Sequence, residues 1–250
     1  MRLTRIYQQQ PLNTGSTITL SKEASHHLTR VLRLSIGAEF ILFNGEGGEF
    51  KSKIISLEKN IVSVQVGEAI TIDRESPLQI ILGQSVIRPE KMDYTLQKAV
   101  ELGVTHIVPL LTERSRSSLK LSSDHLDKRL HHWQAIIIAA CEQSGRTQIP
   151  TLEKALPFKE ALTQIKADIR TILMPNAIEK YPPLTKKSRH CVAVLVGPEG
   201  GWSKIEINLA MAADYLPIQL GPRILRTETA GLVAITLLQA LWGDISFNLV

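Results

Sequence analysis

The sequence predicts an α/β protein of two domains, in which a small β-barrel precedes a parallel α/β sheet. Up to about residue 70, short β-branched stretches alternate with turn signals, which is typical of small barrels. After residue 77, apolar stretches alternate with helical segments, which favours a buried parallel sheet. The pattern changes within "TIDRESP" (71–77), so we expect one domain over 1–73 and a second over 74–250.

Four strands and one helix are predicted in the first domain. The strands are "TITL" (17–20), "EFILFN" (39–44), "EFKSKIISLE" (49–58) and "IVSVQVGEAI" (61–70), separated by short polar turns. The helix is predicted over 21–34, and Ser21 could serve as its N-cap.

Five strands and five helices are predicted in the second domain. The strands cover 78–86, 106–111, 169–174, 191–197 and 215–220, and the helices cover 91–102, 124–145, 158–167, 203–213 and 228–242. Ser203 with Glu206 three residues later is typical of a capping box. Gly145 is a plausible C-cap of the second of these helices.

Composition and charge narrow the class of protein. The chain has 250 residues, of which 44% are hydrophobic, so it can form a core and wholesale disorder is not expected. The formal net charge of +5 is compatible with a polyanionic partner. Two cysteines, Cys141 and Cys191, exclude a disulfide framework and favour a reducing compartment.

Neither a membrane segment nor a metal site is expected. The start "MRLTRIYQQQ" has no apolar core of a signal peptide, and the run 231–242 is short of the roughly 20 residues of a membrane span. The adjacent pairs His26–His27 and His131–His132 diverge around a helix by about 100° and cannot grip one metal. We therefore expect a soluble, cytoplasmic protein.

Two loops are the main candidates for a ligand-binding or catalytic site. "VGPEGGWS" (196–203) and "LGPRILRTETA" (220–230) each follow a predicted strand, and ligands of open parallel sheets bind beyond the carboxyl ends of the strands. Their glycines would let the backbone approach a ligand closely. Neither loop has the phosphate-loop or dinucleotide fingerprint. One such loop would suggest a tight turn, but two in one sheet favour a ligand site.

Charged residues outside these loops have two interpretations. On the segment 91–115, Lys91, Lys98 and Glu101 fit the polar side of an amphipathic helix, and a site role is the alternative. Arg30 and Arg33 are three residues apart in the predicted helix 21–34, where they could contact RNA phosphates from one helical face.

The motifs together resemble a known family. In chain order they are "HHLTRVLRLSIGAEF", "KMDYTLQKAVELGVTHIVPLLTERS", "CEQSGRTQIP", "LVGPEGGWS" and "LGPRILRTETA". This order closely resembles the bacterial family that methylates ring nitrogen 3 of a uridine in 16S small-subunit ribosomal RNA, which belongs to the SPOUT class of methyltransferases. The resemblance covers essentially the whole chain, and its last two motifs are the most specific.

The resemblance implies an architecture and partners. It implies an RNA-binding PUA-like β-barrel, followed by a SPOUT α/β domain with a deep trefoil knot. It also implies a homodimer with active sites at the subunit interface, acting on small-subunit ribosomal RNA, which we expect to be in the assembled subunit.

The resemblance further implies S-adenosylmethionine as methyl donor, held in a bent conformation by the two loops. The matching residues are Leu195, Gly197, Glu199, Gly200, Gly201, Leu220, Gly221, Ile224, Leu225, Arg226 and Thr227, with Met174 as a third wall. Ile224 and Leu225 would flank the adenine, and Thr227 or Thr229 would cap the last helix.

The chemistry of the uracil ring leaves several residues as candidates. Nitrogen 3 carries a weakly acidic proton that must leave, which favours a general base or a cation that stabilises the uracil anion. The candidate bases are Glu199 and Glu228, and the candidate cations are Arg226, Arg223 and Arg5. We expect Arg5, Arg30 and Arg33 to contact RNA.

Three other functions stay open at this point. A SPOUT enzyme acting on another RNA would share the donor site and differ only in its product. A non-catalytic RNA-binding assembly factor would lack saturable S-adenosylmethionine affinity. A nucleotide-binding metabolic enzyme is disfavoured by the missing phosphate fingerprints.

Overall fold

The computed structural model describes residues 3–59, 61–115, 123–176 and 191–246. The chain divides into two compact units. The first comprises Met1–Glu75 and Ile138–Ile149, and the second comprises Ser76–Ile137 and Pro150–Val250. The sequence pattern predicts a single boundary at 73/74 and gives no sign that 138–149 packs with the first unit.

The first unit contains a five-stranded sheet. Its strands are β1 (Arg5–Tyr7), β2 (Thr17–Thr19), β3 (Glu39–Phe43), β4 (Glu49–Glu58) and β5 (Ile61–Ile70), in the order β1-β3-β4-β5-β2. β1 pairs with β3 in parallel, and the other pairs are antiparallel. Alternate residues of β5, Val62, Val64 and Val66, are fully buried in its core. This is the small β-rich domain that the alternating pattern predicts; only β1, three residues long, was missed.

The helix of the first unit is shorter than predicted. Helix α1 (Lys22–His26) continues as a π-helical turn over His27–Val31, and the Ser21 hydroxyl accepts a hydrogen bond from the Ala24 backbone N–H at 3.1 Å. Arg33 lies beyond this turn with φ 55, in the left-handed region. The expectation that Arg30 and Arg33 share one helical face is therefore wrong, because the helix has ended before Arg33.

Arg5 joins the segment 138–149 to the strands of the first unit. Its Nε donates to Glu49 Oε1 at 2.8 Å, and its terminal nitrogens donate to the backbone carbonyls of Cys141 and Arg146. Arg5 is only 6% exposed. This burial argues against the roles in RNA contact and uracil stabilisation that we expected of Arg5, because its donors already serve acceptors inside the unit.

The second unit contains a seven-stranded parallel sheet. Its strands are β6 (Gln79–Ser85), β7 (His106–Leu111), β8 (Thr151–Leu152), β9 (Leu156–Pro157), β10 (Ile169–Leu173), β11 (Cys191–Val196) and β12 (Leu216–Ile218). The order is β12-β10-β11-β6-β7-β8, and β9 also pairs with β7. Every pair is parallel, as the continuous apolar stretches predicted.

Five further helices follow the predicted ranges to within a few residues. They are α2 (Pro89–Glu101), α3 (Ser123–Ser144), α4 (Phe158–Gln164), α5 (Lys204–Ala212) and α6 (Thr227–Trp242). Gly145, with φ 94, follows the last residue of α3, as expected of a C-terminal glycine. No helix among the described residues is long and apolar enough to cross a membrane.

The capping predictions had different outcomes. Ser203 caps α5, its hydroxyl accepts from the Glu206 N–H, and the Glu206 carboxylate accepts in return from the Ser203 N–H, so the capping box is confirmed. The prediction that Thr227 or Thr229 caps α6 is wrong. The N-cap position is Arg226, and its side chain makes no capping hydrogen bond.

Candidate active site

Three loops meet at one edge of the parallel sheet. β12, β10 and β11 are neighbours and run in the same direction, so the segments after them leave from the same edge. These segments wall a cavity of about 400 Å³. Small-molecule sites commonly occupy about 300–1,000 Å³ and lie at this edge of α/β sheets. The cavity therefore has the position and size of a ligand site.

Most of the predicted donor-binding residues line this cavity. They are Met174, Gly197, Gly201, Leu220, Ile224, Leu225 and Thr227. The charged residues Glu199, Arg223 and Arg226 line it as well. Residues from three separate loops are thus brought together around one space.

Leu195, Gly200 and Gly221 are predicted residues that lie away from the cavity lining. Leu195 is fully buried within the sheet, where its side chain fills the space that a Cβ at Gly83 would need. The Gly200 carbonyl accepts a hydrogen bond from Arg114 at 3.1 Å. Gly221 lines a separate apolar groove beside α6. We expect Leu195 to pack within the sheet and the two glycines to shape the loops, rather than to contact a ligand.

A buried tryptophan braces two of the loops. The Nε1 of Trp202 donates to the Leu173 carbonyl at 3.0 Å, which joins the loop after β11 to the end of β10. Gly197 lies against the same indole, and a Cβ there would be only 3.1 Å from the ring. A Cβ at this position would press on the ring, and the larger branched side chain of valine would collide with it.

The buried carboxylate of Glu206 joins the loop after β11 to the segment after β7 by hydrogen bonds. Besides the Ser203 N–H at 2.8 Å, it accepts the Glu113 N–H at 2.9 Å. Glu206 is 5% exposed. The sequence identified it as part of a capping box but could not show that it also holds the segment after β7.

Ile224 gives the cavity an exposed apolar wall. It is 81% exposed, although it is a large aliphatic side chain. An apolar residue kept at the surface of a loop that walls a cavity is typical of a ligand or partner contact.

Lys91 and Glu228 form an ion pair at the cavity. The Lys91 Nζ lies 3.1 Å from Oε1 and 3.2 Å from Oε2 of Glu228, and Lys91 lines the cavity. Burial alone would raise the pKa of Glu228, but its own backbone N–H, Lys91 and Arg226 outweigh burial and lower the pKa. The carboxylate is therefore held in its charged form. Glu228 was predicted as a catalytic candidate, whereas Lys91 had two interpretations, the polar side of an amphipathic helix and, as the alternative, a site role.

Comparison with known proteins identifies the family. Residues 74–239 match the RNA methyltransferase domain family, and residues 20–67 match the RNA methyltransferase PUA domain. The first match covers well over half of the chain.

The chain belongs to the RNA methyltransferase family.

Relatives within the RNA methyltransferase family match over nearly the full chain. Ribosomal RNA small subunit methyltransferase E of Buchnera aphidicola subsp. Schizaphis graminum is 37% identical over 98% of this chain and 99% of its own length. The enzyme of the same name from Neisseria gonorrhoeae, solved bound to S-adenosyl methionine, is 38% identical with a TM-score of 0.88, covering 98% of this chain and 100% of its own. A protein of Legionella pneumophila, solved with bound SAM, is 40% identical with a TM-score of 0.92 over 98% of this chain and 100% of its own.

These similarities agree with the fold described above. The PUA domain match falls within the β-rich first unit, and the RNA methyltransferase domain match contains the parallel sheet and every residue of the cavity lining. The SPOUT class expected from the sequence motifs is thereby confirmed.

Proposed function

We propose that this protein is an S-adenosylmethionine-dependent methyltransferase that modifies ring nitrogen 3 of a uridine in small-subunit ribosomal RNA. The observation that carries the proposal is the cavity of about 400 Å³ walled by three loops at the carboxyl edge of the sheet. Its support comes from relatives that carry the name ribosomal RNA small subunit methyltransferase E, one of which binds S-adenosyl methionine. The ring position rests on the family resemblance of the motifs.

The residues present suit the methyl donor. Gly197 and Gly201 leave backbone exposed at the wall, and Gly201 adopts φ 66, which disfavours any larger residue. Ile224 and Leu225 would flank the adenine, and Met174, Leu220 and Thr227 would close the remaining sides. When bound, S-adenosylmethionine supplies an electrophilic methyl group on a sulfonium. We further propose the deep trefoil knot of this class for the chain that forms these loops.

The side chains at the cavity have roles that follow from the chemistry of uracil. Nitrogen 3 must lose its proton, and negative charge then spreads to the flanking carbonyl oxygens. Glu199 lines the cavity and Glu228 lies beside it, so both stay candidates to receive the proton. Arg226 and Arg223 line the cavity and are the candidate cations for the developing negative charge.

RNA binding is proposed for the first unit. Arg30 and Arg33 are exposed on the π-helical turn and just after it. Guanidinium groups at such positions suit contacts with phosphates, which orient RNA without reading its sequence. A protein with this substrate would work where ribosomal subunits are found, in the cytoplasm, and we propose the assembled small subunit as its target.

A homodimer is also proposed. Beside α6 lies an apolar groove of about 470 Å³, lined by residues of α6, β10 and β12. Leu237 and Leu241 of α6 remain 48% and 39% exposed at this groove. A continuous apolar surface of this kind suits a second copy of the chain.

The decisive experiment is nucleoside mass spectrometry of small ribosomal subunits from cells that lack this gene. Incubation with the protein and S-adenosylmethionine should produce 3-methyluridine, and omission of the donor should abolish it. The Gly197→Val variant, whose side chain would collide with the Trp202 ring, should bind the donor poorly and give no product. Saturable donor binding without 3-methyluridine would replace the proposal with a methyltransferase of another RNA. Absence of both would favour an assembly factor.

A further inference from the structure

The ion pair of Lys91 and Glu228 places a donor that lines the cavity next to an acceptor that lies beside it. Lys91 lies in the first turn of α2 and Glu228 in the first turn of α6, and the two helices pack together. The ammonium contacts both carboxylate oxygens at 3.1 and 3.2 Å. Two rigid helices therefore hold the pair, so its geometry does not depend on a loop.

The pair keeps hydrogen-bonding capacity beyond its internal contact. A lysine ammonium has three N–H donors, and an ionised carboxylate has about four acceptor positions. The side chains are 27% and 15% exposed, so both are partly open to an incoming group while solvent is largely displaced. Charge-assisted hydrogen bonds in such surroundings are stronger than neutral ones.

We propose that Lys91 and Glu228 together recognise the uracil base, with Lys91 donating to the carbonyl oxygen at ring position 4 and Glu228 accepting the N3–H. The inference rests on the proposed function and deepens it, because it assigns the residues that select the base. The arrangement of a donor beside an acceptor is the one that the pairing edge of adenine offers to uracil. The two side chains would thus replace a base-pairing partner once the uridine is splayed out of its stack.

The same arrangement excludes cytosine. At the corresponding positions, cytosine presents an amino group and an unprotonated ring nitrogen, so the amino group would face the ammonium and the ring-nitrogen lone pair would face the carboxylate. Both contacts become repulsive. Bidentate recognition of a base edge typically discriminates by about 5- to 150-fold against the wrong base.

A variant with the two charges exchanged tests whether the ion pair recognises the base or only stabilises the packing of α2 on α6. The double variant K91E/E228K keeps an ion pair between α2 and α6 but exchanges donor and acceptor. If the pair only braces the helices, the reversal preserves function; if it reads the base, the reversal abolishes the preference for uridine. The matched control is K98E/E101K, which reverses a pair on α2 whose Nζ lies 2.7 Å from the carboxylate and which lies outside the cavity lining.

The readout is binding, measured without turnover. Small subunits carrying the mapped target uridine, or cytidine in its place, are titrated with protein saturated with S-adenosylhomocysteine. Wild type and K98E/E101K should bind the uridine subunits about 5- to 150-fold more tightly than the cytidine subunits. K91E/E228K should lose this preference.

Glu228→Gln provides a second test should the reversal variant fail to fold. A glutamine can turn either its oxygen or its amide N–H toward the base, so it should remove the repulsion with the cytosine ring nitrogen and reduce the uridine preference severalfold, while Lys91 still disfavours the amino group. An unchanged preference in either variant, or no preference in wild type, overturns the inference while the mapped 3-methyluridine leaves the proposed function standing. Absence of 3-methyluridine in the wild-type reaction overturns both.

Discussion

The indole N–H of Trp202 donates to the backbone carbonyl of Leu173 at 3.0 Å, and this bond holds two walls of the cavity together. Trp202 is 7% exposed and packs on Phe158, with ring centroids 5.0 Å apart. The loop after β11 thus rests on a side chain that is fixed from two directions. The shape of the cavity should depend on this tryptophan although it belongs largely to the core.

We predict that Trp202→Phe weakens donor binding. The substitution leaves the Leu173 carbonyl without its buried donor, at a cost of about 1–3 kcal/mol, and loosens the wall of the cavity. Affinity for S-adenosylmethionine, measured by calorimetric titration, should fall by about tenfold or more. The control is Trp133→Phe in α3, which should lower the unfolding temperature with no effect on donor affinity. Equal donor affinity in wild type and Trp202→Phe would contradict the prediction.

Arg5→Ala should destabilise the first unit severely. It removes one of the two guanidinium partners of the buried Glu49 carboxylate, which keeps Arg74, and the donor to two backbone carbonyls. Breaking a buried ion pair costs about 3–5 kcal/mol, and the retained Arg74 should hold the loss near the lower end of that range. Urea unfolding should show this loss in free energy of unfolding. Lys51→Ala, which removes a half-exposed pair with Glu39, should change it by less than about 1 kcal/mol. A small effect of Arg5→Ala would mean that the Arg5 contacts are not stabilising.

Glu142 should make the stability of the folded protein fall as the pH rises. Burial raises its pKa, against the opposing effects of the Tyr7 backbone N–H, His27 and Arg5. The folded state therefore retains the proton to higher pH than the unfolded state, and stability falls as the pH rises through the interval between the two pKa values. Glu142→Gln keeps an oxygen for the Tyr7 N–H and removes the titration.

The stability of Glu142→Gln relative to wild type should accordingly increase as the pH rises from acidic values toward neutrality. Denaturant unfolding over a pH series measures this difference directly. Glu153→Gln, at an exposed carboxylate, is the comparison variant. A relative stability of Glu142→Gln that falls with rising pH would contradict the sign of the shift.

Introducing charge at Leu237 and Leu241 should separate the proposed dimer. Both leucines line the apolar groove beside α6, and glutamates there would place two carboxylates per chain in the interface. Light scattering after size-exclusion chromatography should report a dimer for wild type and a monomer for L237E/L241E. Glutamate at Ile205, an exposed apolar residue of α5, should leave the mass unchanged. A monomeric wild type would refute the dimer.

Removing Arg30 or Arg33 should weaken RNA binding uniformly across sequences. The affinity falls as salt rises, and each lost phosphate contact should reduce the steepness of log affinity against log salt by about one unit. Filter binding of small subunits at several salt concentrations provides the slope. Lys154→Ala, at an exposed cation of the second unit, serves as the control. Unchanged affinity and slope would remove Arg30 and Arg33 from the RNA contact surface.

Local patterns predicted most of the elements. The strands 49–58, 61–70 and 106–111 have the predicted bounds, because each is a β-branched or apolar run bounded by turn residues. The capping box at Ser203 and Glu206 was also predicted, since both partners lie within four residues. Many features that depend on residues close in sequence were therefore accessible.

Two contacts between distant segments were not predicted. The segment 138–149 packs with the first unit, where Arg5 donates hydrogen bonds to backbone carbonyls about 140 residues later in the chain. The ion pair of Lys91 with Glu228 likewise needs the packing of α2 on α6, which periodicity along one helix cannot show. The early end of the first helix was also missed, because Arg33 adopts the left-handed conformation at a position where the sequence has no glycine.

The discontinuity of the first unit constrains the order in which a nascent chain can fold. Translation completes the strands of this unit by residue 70, but the carbonyls that accept from Arg5 belong to Cys141 and Arg146. Until residue 149 has emerged, the guanidinium lacks these carbonyls and keeps only its contacts with Glu49 and the Phe43 ring within the described part of the unit. The first 75 residues therefore lack part of their own unit, and a truncation after residue 75 should expose the surface that 138–149 covers, which favours aggregation.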